Sequence, residues 1–438
     1  MRVLLAFTAA ATLMTQSYAA WAAPSLVDVF ELAVQHDPAL AAADAARRAV
    51  SEAVPQARAA LLPQLSANAA INRTHREIEG INHNTTTQNY TNKLATLSLS
   101  QVIYDRQAFV ALDQADARVA QAEYEFALAL QDLTLRVSQA YSDLLFAADS
   151  LKLAESKKEA IAAQKQQAAQ MYTEGFGTIT DVQEAQARLD LAVAEALEAR
   201  NLLRTRRQAL FKLTGRWIED VTPLRPDAPM PSPEPNDLDR WLEEARQHAL
   251  EVKRAEKALE VARLDVERAR SNHLPVVRLV GSAQDQSNTD LGYKSDNISY
   301  LGVQLSLPLY AGGKVLSVTR EALARQEQAA EILRKAAADS ESNAVESFHG
   351  VNDTIARVRA LEQAVRSSEI ALDAAQIGLK VGYRTSVDVL NAQQQLFSAR
   401  RDLLQQRYNH ILYLLRLKAA VGSLGPQDIE TVDLWLAK

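Results

Sequence analysis

Apolar positions along this chain recur with two periods, and each predicts a different element. From Arg106 to about Tyr172 the period is helical and unbroken. Leu112, Val119, Phe126 and Leu133 form one seven-residue ladder, and Leu130, Val137, Leu144 and Leu151 a second. At 1.5 Å per residue this helix runs roughly 100 Å, far beyond an ordinary globular one. A strict seven-residue repeat supercoils a helix left-handedly against a neighbour. A second such helix is predicted over about Lys314 to Ile377, where Val358, Val365, Leu372 and Leu379 keep heptad spacing. The other period is two. It marks strands at Gln64 to Thr74, Thr91 to Tyr104 and Val276 to about Gln284. It is clearest in a nine-residue fourth strand, where Leu301, Val303, Leu305, Leu307 and Leu309 alternate with Gly302, Gln304, Ser306 and Pro308. Polar, turn-prone segments at 79–89 and 285–297 join the strands as two hairpins.

The whole programme occurs twice. Leu26, Ala33, Gln35-His36, Arg58 and Leu62-Pro63 return at Leu238, Ala245, Gln247-His248, Arg270 and Leu274-Pro275, all displaced by 212 residues. Between these points Leu26 to about Leu61 is Ala-rich and helical, with a kink expected at Pro55. The most specific repeat follows each long helix. Gly175, Thr178, Asp181, Val182, Ala185, Gln186 and Leu189 superpose on Gly382, Thr385, Asp388, Val389, Ala392, Gln393 and Leu396 at a displacement of 207, with an aromatic after each Gly. Gly175 and Gly382 stand where a helix stops in a left-handed residue. Asp181 and Asp388, or the Thr residues before them, stand where the next helix is capped. Each copy is therefore a helix-turn-helix tip. The return helices close at Gly215 and Gly422, again 207 apart.

Composition narrows the function. Only 14 Gly and 13 Pro in 438 residues, with 47% hydrophobic residues, suit long helices. A net charge of −6 with both signs interspersed leaves no nucleic-acid footprint. There is no Cys, hence no disulfide framework, thiolate chemistry or lipid-modified Cys. Residues 1–22 have the order of a secretory signal: Arg2, an apolar run from Val3 to Met14, then Ala20-Trp21-Ala22 as a cleavage site. No run of 18 apolar residues follows. The organisation expected is a signal at 1–22, a first repeat at 23–215, a Pro-rich linker at 216–236, a second repeat at 237–422 and a C-terminal cap at 423–438. Enzyme signatures fail. The seven His are scattered without an HExxH or a ligand cluster. Gly312-Gly-Lys-Val315 lacks the first Gly and the Ser/Thr of a phosphate loop. No catalytic residue, metal site or cofactor is expected.

A nine-residue strand with one apolar face has the length and pattern that cross a bilayer with lipid outside and water inside. Val303, Leu305 and Leu307 would face lipid, and Gln304 and Ser306 water. Four strands cannot close a barrel, and an open edge is not tolerated in hydrocarbon. Copies must share one. Two copies give eight strands, whose interior side chains fill; three give twelve, wide enough for water.

On both tips and the surrounding repeat, from about Leu26 to the C-terminus, the chain resembles the TolC family of trimeric outer-membrane channel proteins. The resemblance selects three copies. It implies a mainly α fold with membrane β: long coiled-coil helices forming a periplasmic α-barrel, continuous with a twelve-stranded outer-membrane β-barrel to which each copy gives four strands. It implies a homotrimer in outer-membrane lipid that serves an inner-membrane transporter and a periplasmic adaptor (membrane fusion) protein, in efflux or type I secretion. In this family the tips close the tunnel like an iris. Arg384 matches the gate arginine, linked to Thr180 and Asp181 of the first tip. Asp388 matches the outer aspartate of an entrance ring. Two positions depart: Leu379 stands where relatives can carry a bonding Tyr, and Asn391 where a second Asp ring can lie. The alternative is a non-channel periplasmic coiled-coil adaptor or spacer, although no Gly- and Val-rich lipoyl segment is visible.

Lipid exposure of the fourth strand makes a test. Leu305→Arg should impair insertion, at a cost of about 2–4 kcal/mol near the midplane, and Ser306→Arg should be tolerated. Membrane-fractionated trimer is the readout, and equal assembly of both variants would remove the strand from the barrel.

Overall fold

The computed structural model describes residues 23–81, 85–288 and 296–437. The expected signal segment, and the middle of the second polar loop, lie outside the described residues. The first repeat opens with α1 (Leu26–His36), α2 (Pro38–Ser51) and α3 (Ala53–Ala59). The expected single kinked helix is thus broken twice. Pro55 cannot bond back to the preceding turn, so the chain breaks at Glu52. The second break is at Asp37, whose Oδ1 caps α2 by accepting from the backbone N–H of Ala39 and Leu40 at 2.7 and 2.9 Å. Its other oxygen takes Arg136 Nη1 at 2.7 Å. Burial raises the Asp37 pKa, but these bonds outweigh it and hold the carboxyl below its usual range. In the second repeat α6 (Leu238–His248) and α7 (Leu250–Arg270) break at Ala249, 212 residues on from Asp37, with no side-chain cap.

Strands β1 (Gln64–Glu79), β2 (Thr85–Tyr104), β3 (Val276–Asn288) and β4 (Asp296–Ser306) form one antiparallel sheet in that order. The first hairpin is longer than its alternation indicates. Its ladder runs from Gln64↔Ser100 to Glu79↔Thr85, so six of the residues assigned to a polar turn pair as strand. Threonine explains this, because Thr85, Thr86 and Thr87 are β-branched and pair well on a pleated surface whatever their polarity. β4 is displaced instead. It starts at Asp296 and stops at Ser306, opposite Val276, so Leu307 and Leu309 lie beyond the ladder. Pro275 and Pro308 lack N–H groups on either side of that last pair.

Register places the apolar residues together. Leu65 is opposite Leu99, which is opposite Gly281, which is opposite Leu301. Two residues away, Leu279 faces Val303, and Val277 faces Leu305. The alternate rows hold Ser66, Ser98 and Ser282, then Asn68, Thr96 and Gln284. The sheet thus has one apolar and one polar face, and both Val303 and Leu305 are two-thirds exposed on the apolar one.

Four helices descend from the sheet. α4 (Arg106–Thr173) and α8 (Lys314–Lys380) are the two long ones, and α5 (Ile179–Thr214) and α9 (Ser386–Ala420) return antiparallel to them. At the top α4 is tied to α7 by an Arg106–Glu267 ion pair and to the turn after α7 by Gln107 donating to Asn272 at 3.1 Å. Midway lies the largest core. Leu133, Val137 and Leu144 of the α4 ladders meet Val29, Ala33, Leu210, Ile411 and Leu415 there, together with Ile429 of α10 (Pro426–Asp433). The Pro-rich linker has no helix, yet it is not loose. Arg225 N–H donates to Trp435 O at 3.0 Å and Ala437 N–H to Pro223 O at 2.8 Å, so the linker pairs with the C-terminal tail.

His410 on α9 is wholly buried against α8. Its Nδ1 meets Thr354 Oγ1 at 3.1 Å, and Nε2 has no hydrogen-bond partner among the described residues. Burial lowers its pKa to about 4, against the opposing pull of the Val351 and Pro231 backbones. The unfolded chain takes up this proton near 6.5 and the folded one not until about 4. Between those values the unfolded state binds more protons, so stability falls as pH falls, by about 3 kcal/mol from this group over the window. A denaturation series should show that loss in the native protein, and His410→Leu should lack it.

Candidate functional site at the helical tips

The two tips are built by one set of backbone bonds. In the first, Phe176 and Gly177 N–H both donate to Met171 O, at 2.8 and 3.0 Å, and Gly175 N–H donates to Tyr172 O at 3.1 Å. In the second, Tyr383 and Arg384 N–H donate to Gly378 O, at 2.8 and 3.1 Å, and Gly382 N–H donates to Leu379 O at 3.2 Å. These bonds satisfy carbonyls that a helix end leaves unpaired. They require a left-handed residue, and Gly175 and Gly382 have φ of 81° and 82°. The aromatic after each Gly is thrown outwards, Phe176 and Tyr383 being among the most exposed large side chains.

The return helices begin in capping boxes. Thr178 Oγ1 accepts from Asp181 N–H at 3.3 Å, and Asp181 Oδ2 accepts from Thr178 N–H at 3.1 Å. Thr385 and Asp388 repeat this at 3.2 and 2.9 Å. Of the two placements the sequence allowed, Thr178 and Thr385 are the caps, and the aspartates complete the box three residues in. Backbone and side-chain bonds from Thr385, aided by Arg384 and opposed by slight desolvation, hold the Asp388 carboxyl below its usual range.

Within one protomer the expected gate residues do not all meet. Thr180 Oγ1 lies 2.6 Å from Thr178 Oγ1, and Asp181 binds Thr178. Arg384 is exposed, with Nη1 3.9 Å from Asp388 Oδ1 one turn along. Among the described residues no bond joins it to Thr180 or Asp181. Leu379, at the position without a bonding Tyr, packs with Ala375 and Val389 under the second tip.

The two hairpins are joined through other residues. Gln164 Nε2 of α4 donates to Ser386 Oγ of α9 at 3.2 Å, both buried. Arg188 of α5, which also binds Glu184 at 3.1 Å, donates to Asn391 Oδ1 at 3.2 Å. Ile161, Ala185, Ala192 and Leu390 fill the space between. Asn391, expected as a neutral place in an entrance ring, thus has a partner inside its own chain. Sequence reasoning missed Gln164, Ser386 and Arg188. The one local trace is the i,i+4 Glu184–Arg188 pair; nothing local marks residues that meet from over 200 positions apart.

A four-stranded membrane-type sheet continuous with paired helical hairpins of this length defines a channel-tunnel class of protein. Comparison with known proteins bears this out. The model of the outer membrane efflux protein family matches residues 29–216 and 241–423, and the chain belongs to that family. The two segments start 212 residues apart and end 207 apart (241 − 29 and 423 − 216), the displacements of the internal repeat. The chain is 34% identical over 442 residues to the outer membrane protein TolC of Vibrio cholerae serotype O1, covering 100% of this chain and 99% of that protein. It is 30% identical over 421 residues to the proteases secretion protein PrtF of Dickeya chrysanthemi, covering 94% and 91%. The crystal structure of the outer membrane protein VceC of Vibrio cholerae shares its fold, with a TM-score of 0.77 at 21% identity over 91% of this chain and 96% of that one. The non-channel spacer alternative therefore falls, and the resemblance seen at the tips holds for the whole chain.

The buried Gln164–Ser386 bond should be tested by a mutant cycle. Ser386→Ala leaves the Gln164 amide unpaired and should cost about 1–3 kcal/mol, whereas Gln164→Leu with Ser386→Ala should recover most of it. Thermal midpoints of the four proteins give the coupling; additive losses would mean that the bond does not form.

Proposed function

We propose that this chain is an outer-membrane export duct, three copies of which enclose one continuous tunnel. It receives cargo from an inner-membrane transporter through a periplasmic adaptor and releases it outside, in efflux, type I secretion or both. The observation that carries this is a single four-stranded sheet with one apolar face and two unpaired edges, β1 and β4, set on helices roughly 100 Å long. In lipid those edges must pair with other copies, and three copies give a twelve-stranded barrel with room for water. Val303 and Leu305 would then face lipid, with Leu307 at the barrel's periplasmic rim, and the chain would reach the membrane after loss of residues 1–22.

The tips form the periplasmic gate. Arg384 projects from the turn with a guanidinium only loosely engaged by Asp388, and it is free to bind Asp181 and Thr180 of an adjoining copy. Such exposed links are worth about 0.2–1 kcal/mol each, weak enough for a partner to break, and three act on one iris. Asp388 from each copy would line the entrance. The neutral Asn391, bound to Arg188, would leave that entrance less negative than two carboxylate rings.

Single-channel recording tests the gate. Arg384→Ser should raise conductance and antibiotic entry without harming assembly. Asp181→Ala should do likewise, though it also removes half of a capping box and should cost α5 about 1 kcal/mol. The double variant should conduct little more than either single one. Wild-type conductance in both would place closure in the apolar packing behind the tips.

A further inference from the structure

The two tips share their backbone and their left-handed glycine, but each has a second glycine in a different place. The helix-end residue whose carbonyl closes the turn is Met171 in the first tip and Gly378 in the second. The residue just before the cap is Gly177 in the first and Arg384 in the second. These two positions touch. A Cβ on Gly378 would lie 2.6 Å from Arg384 Cγ and 3.1 Å from its Cβ. A Cβ on Gly177 would lie 3.2 Å from Met171 Cβ and 3.1 Å from Tyr172 N. Real Cβ atoms do not approach other atoms to 2.6 Å, so the second tip has no room for both side chains at this contact, while the first tip is only tight there.

We propose that Gly378 is the positioning residue for Arg384: its bare Cα is the bed over which the arginine stem lies, and this aims the guanidinium along the tip. Neither glycine is needed for its φ. The left-handed position is taken by Gly175 and Gly382, and only these have positive φ within the turns. What Gly378 supplies is space. The backbone bond from Arg384 N–H to Gly378 O, at 3.1 Å, holds the stem against that space. In the first tip a side chain at 177 would press on Met171 and Tyr172 and need them to give by a few tenths of an ångström. The second tip thus holds its cation against a position where a Cβ would strike the stem.

The inference rests on the gate reading of Arg384 for its functional consequence but not for its packing, and the test separates the two. Thermal midpoint and single-channel conductance are measured for Gly378→Ala, Arg384→Gly, the double variant of both, and Gly378→Met with Arg384→Gly, which rebuilds the first tip's pair. Alanine is a better helix former than glycine. Gly378→Ala should therefore lower the midpoint in the native background, where it meets the stem, and raise it slightly beside Arg384→Gly. Conductance of Gly378→Ala should rise to that of Arg384→Ser. Gly378→Met with Arg384→Gly should melt as the native trimer does and still conduct at the raised level. Equal shifts in midpoint in both backgrounds would overturn the proposal, as would native conductance in Gly378→Ala beside raised conductance in Arg384→Ser. If Gly378→Ala fails to assemble, recovery by Arg384→Gly supports the contact and no recovery refutes it. Native conductance in Arg384→Ser would sink the gate reading alone, leaving the midpoints to decide the packing.

Discussion

A strand edge has nothing to bond to in hydrocarbon, and the architecture of this protein follows from that. β1 and β4 each end the sheet with a row of unpaired backbone groups, every one costing several kcal/mol if lipid faced it. Among the described strands neither edge has a further partner, and in the proposed trimer the sheet would be one segment of a barrel closed between copies. Closure sets the helices too. β2 runs straight into α4 through the Asp105 cap, whose Oδ1 accepts from Gln107 and Ala108 N–H at 3.0 and 3.4 Å. Arg106 and Gln107 then fasten that junction to α7 and the turn after it. In the proposed trimer, helices anchored this way would stand in a ring below the strands.

A ring of long helices is held by packing along its length and by little at its end. The packing is deepest midway, where the ladders of α4 meet α1, α5, α9 and the tail. There Tyr141 donates to Thr222 O at 2.8 Å and Tyr408 to Asp149 at 2.7 Å, and burial lifts both phenols well above their usual pKa. Toward the tips the buried apolar clusters become small, one of Ile161, Ala185, Ala192 and Leu390 and one of Ala375, Leu379 and Val389. Small contacts bury less apolar area and stabilise less. This gradient suits a tube that must stay sealed along its wall and yield at one end.

Yielding without unravelling needs rigid tips. Each turn pairs its own carbonyls and caps its own helix, so a hairpin can move as a body while its backbone bonds stay intact. Near the tips the bonds between hairpins are few among the described residues: one buried amide–hydroxyl pair, one arginine–amide pair and a small apolar cluster. Motion is therefore resisted at named side chains and not by the backbone.

The sequence by itself determined the periodic and local features: the seven-residue ladders, the alternation of β4, the repeat, both tip glycines and the Thr–Asp pairs that cap the return helices. These depend on residues a few positions apart, where helix and strand geometry dictates who meets whom. The internal duplication made each visible twice. Only the tertiary structure decided which side chains join distant segments. Gln164 meets Ser386 across 222 positions and Arg188 meets Asn391 across 203, and no period in the chain encodes such pairs. It also decided that the Pro-rich linker pairs with the tail, that His410 is dry, and that β4 ends before Leu307. The contact of Gly378 with Arg384 lies between the two cases. Both residues sit within one turn, yet a missing Cβ has meaning only when the atom that would strike it has been placed.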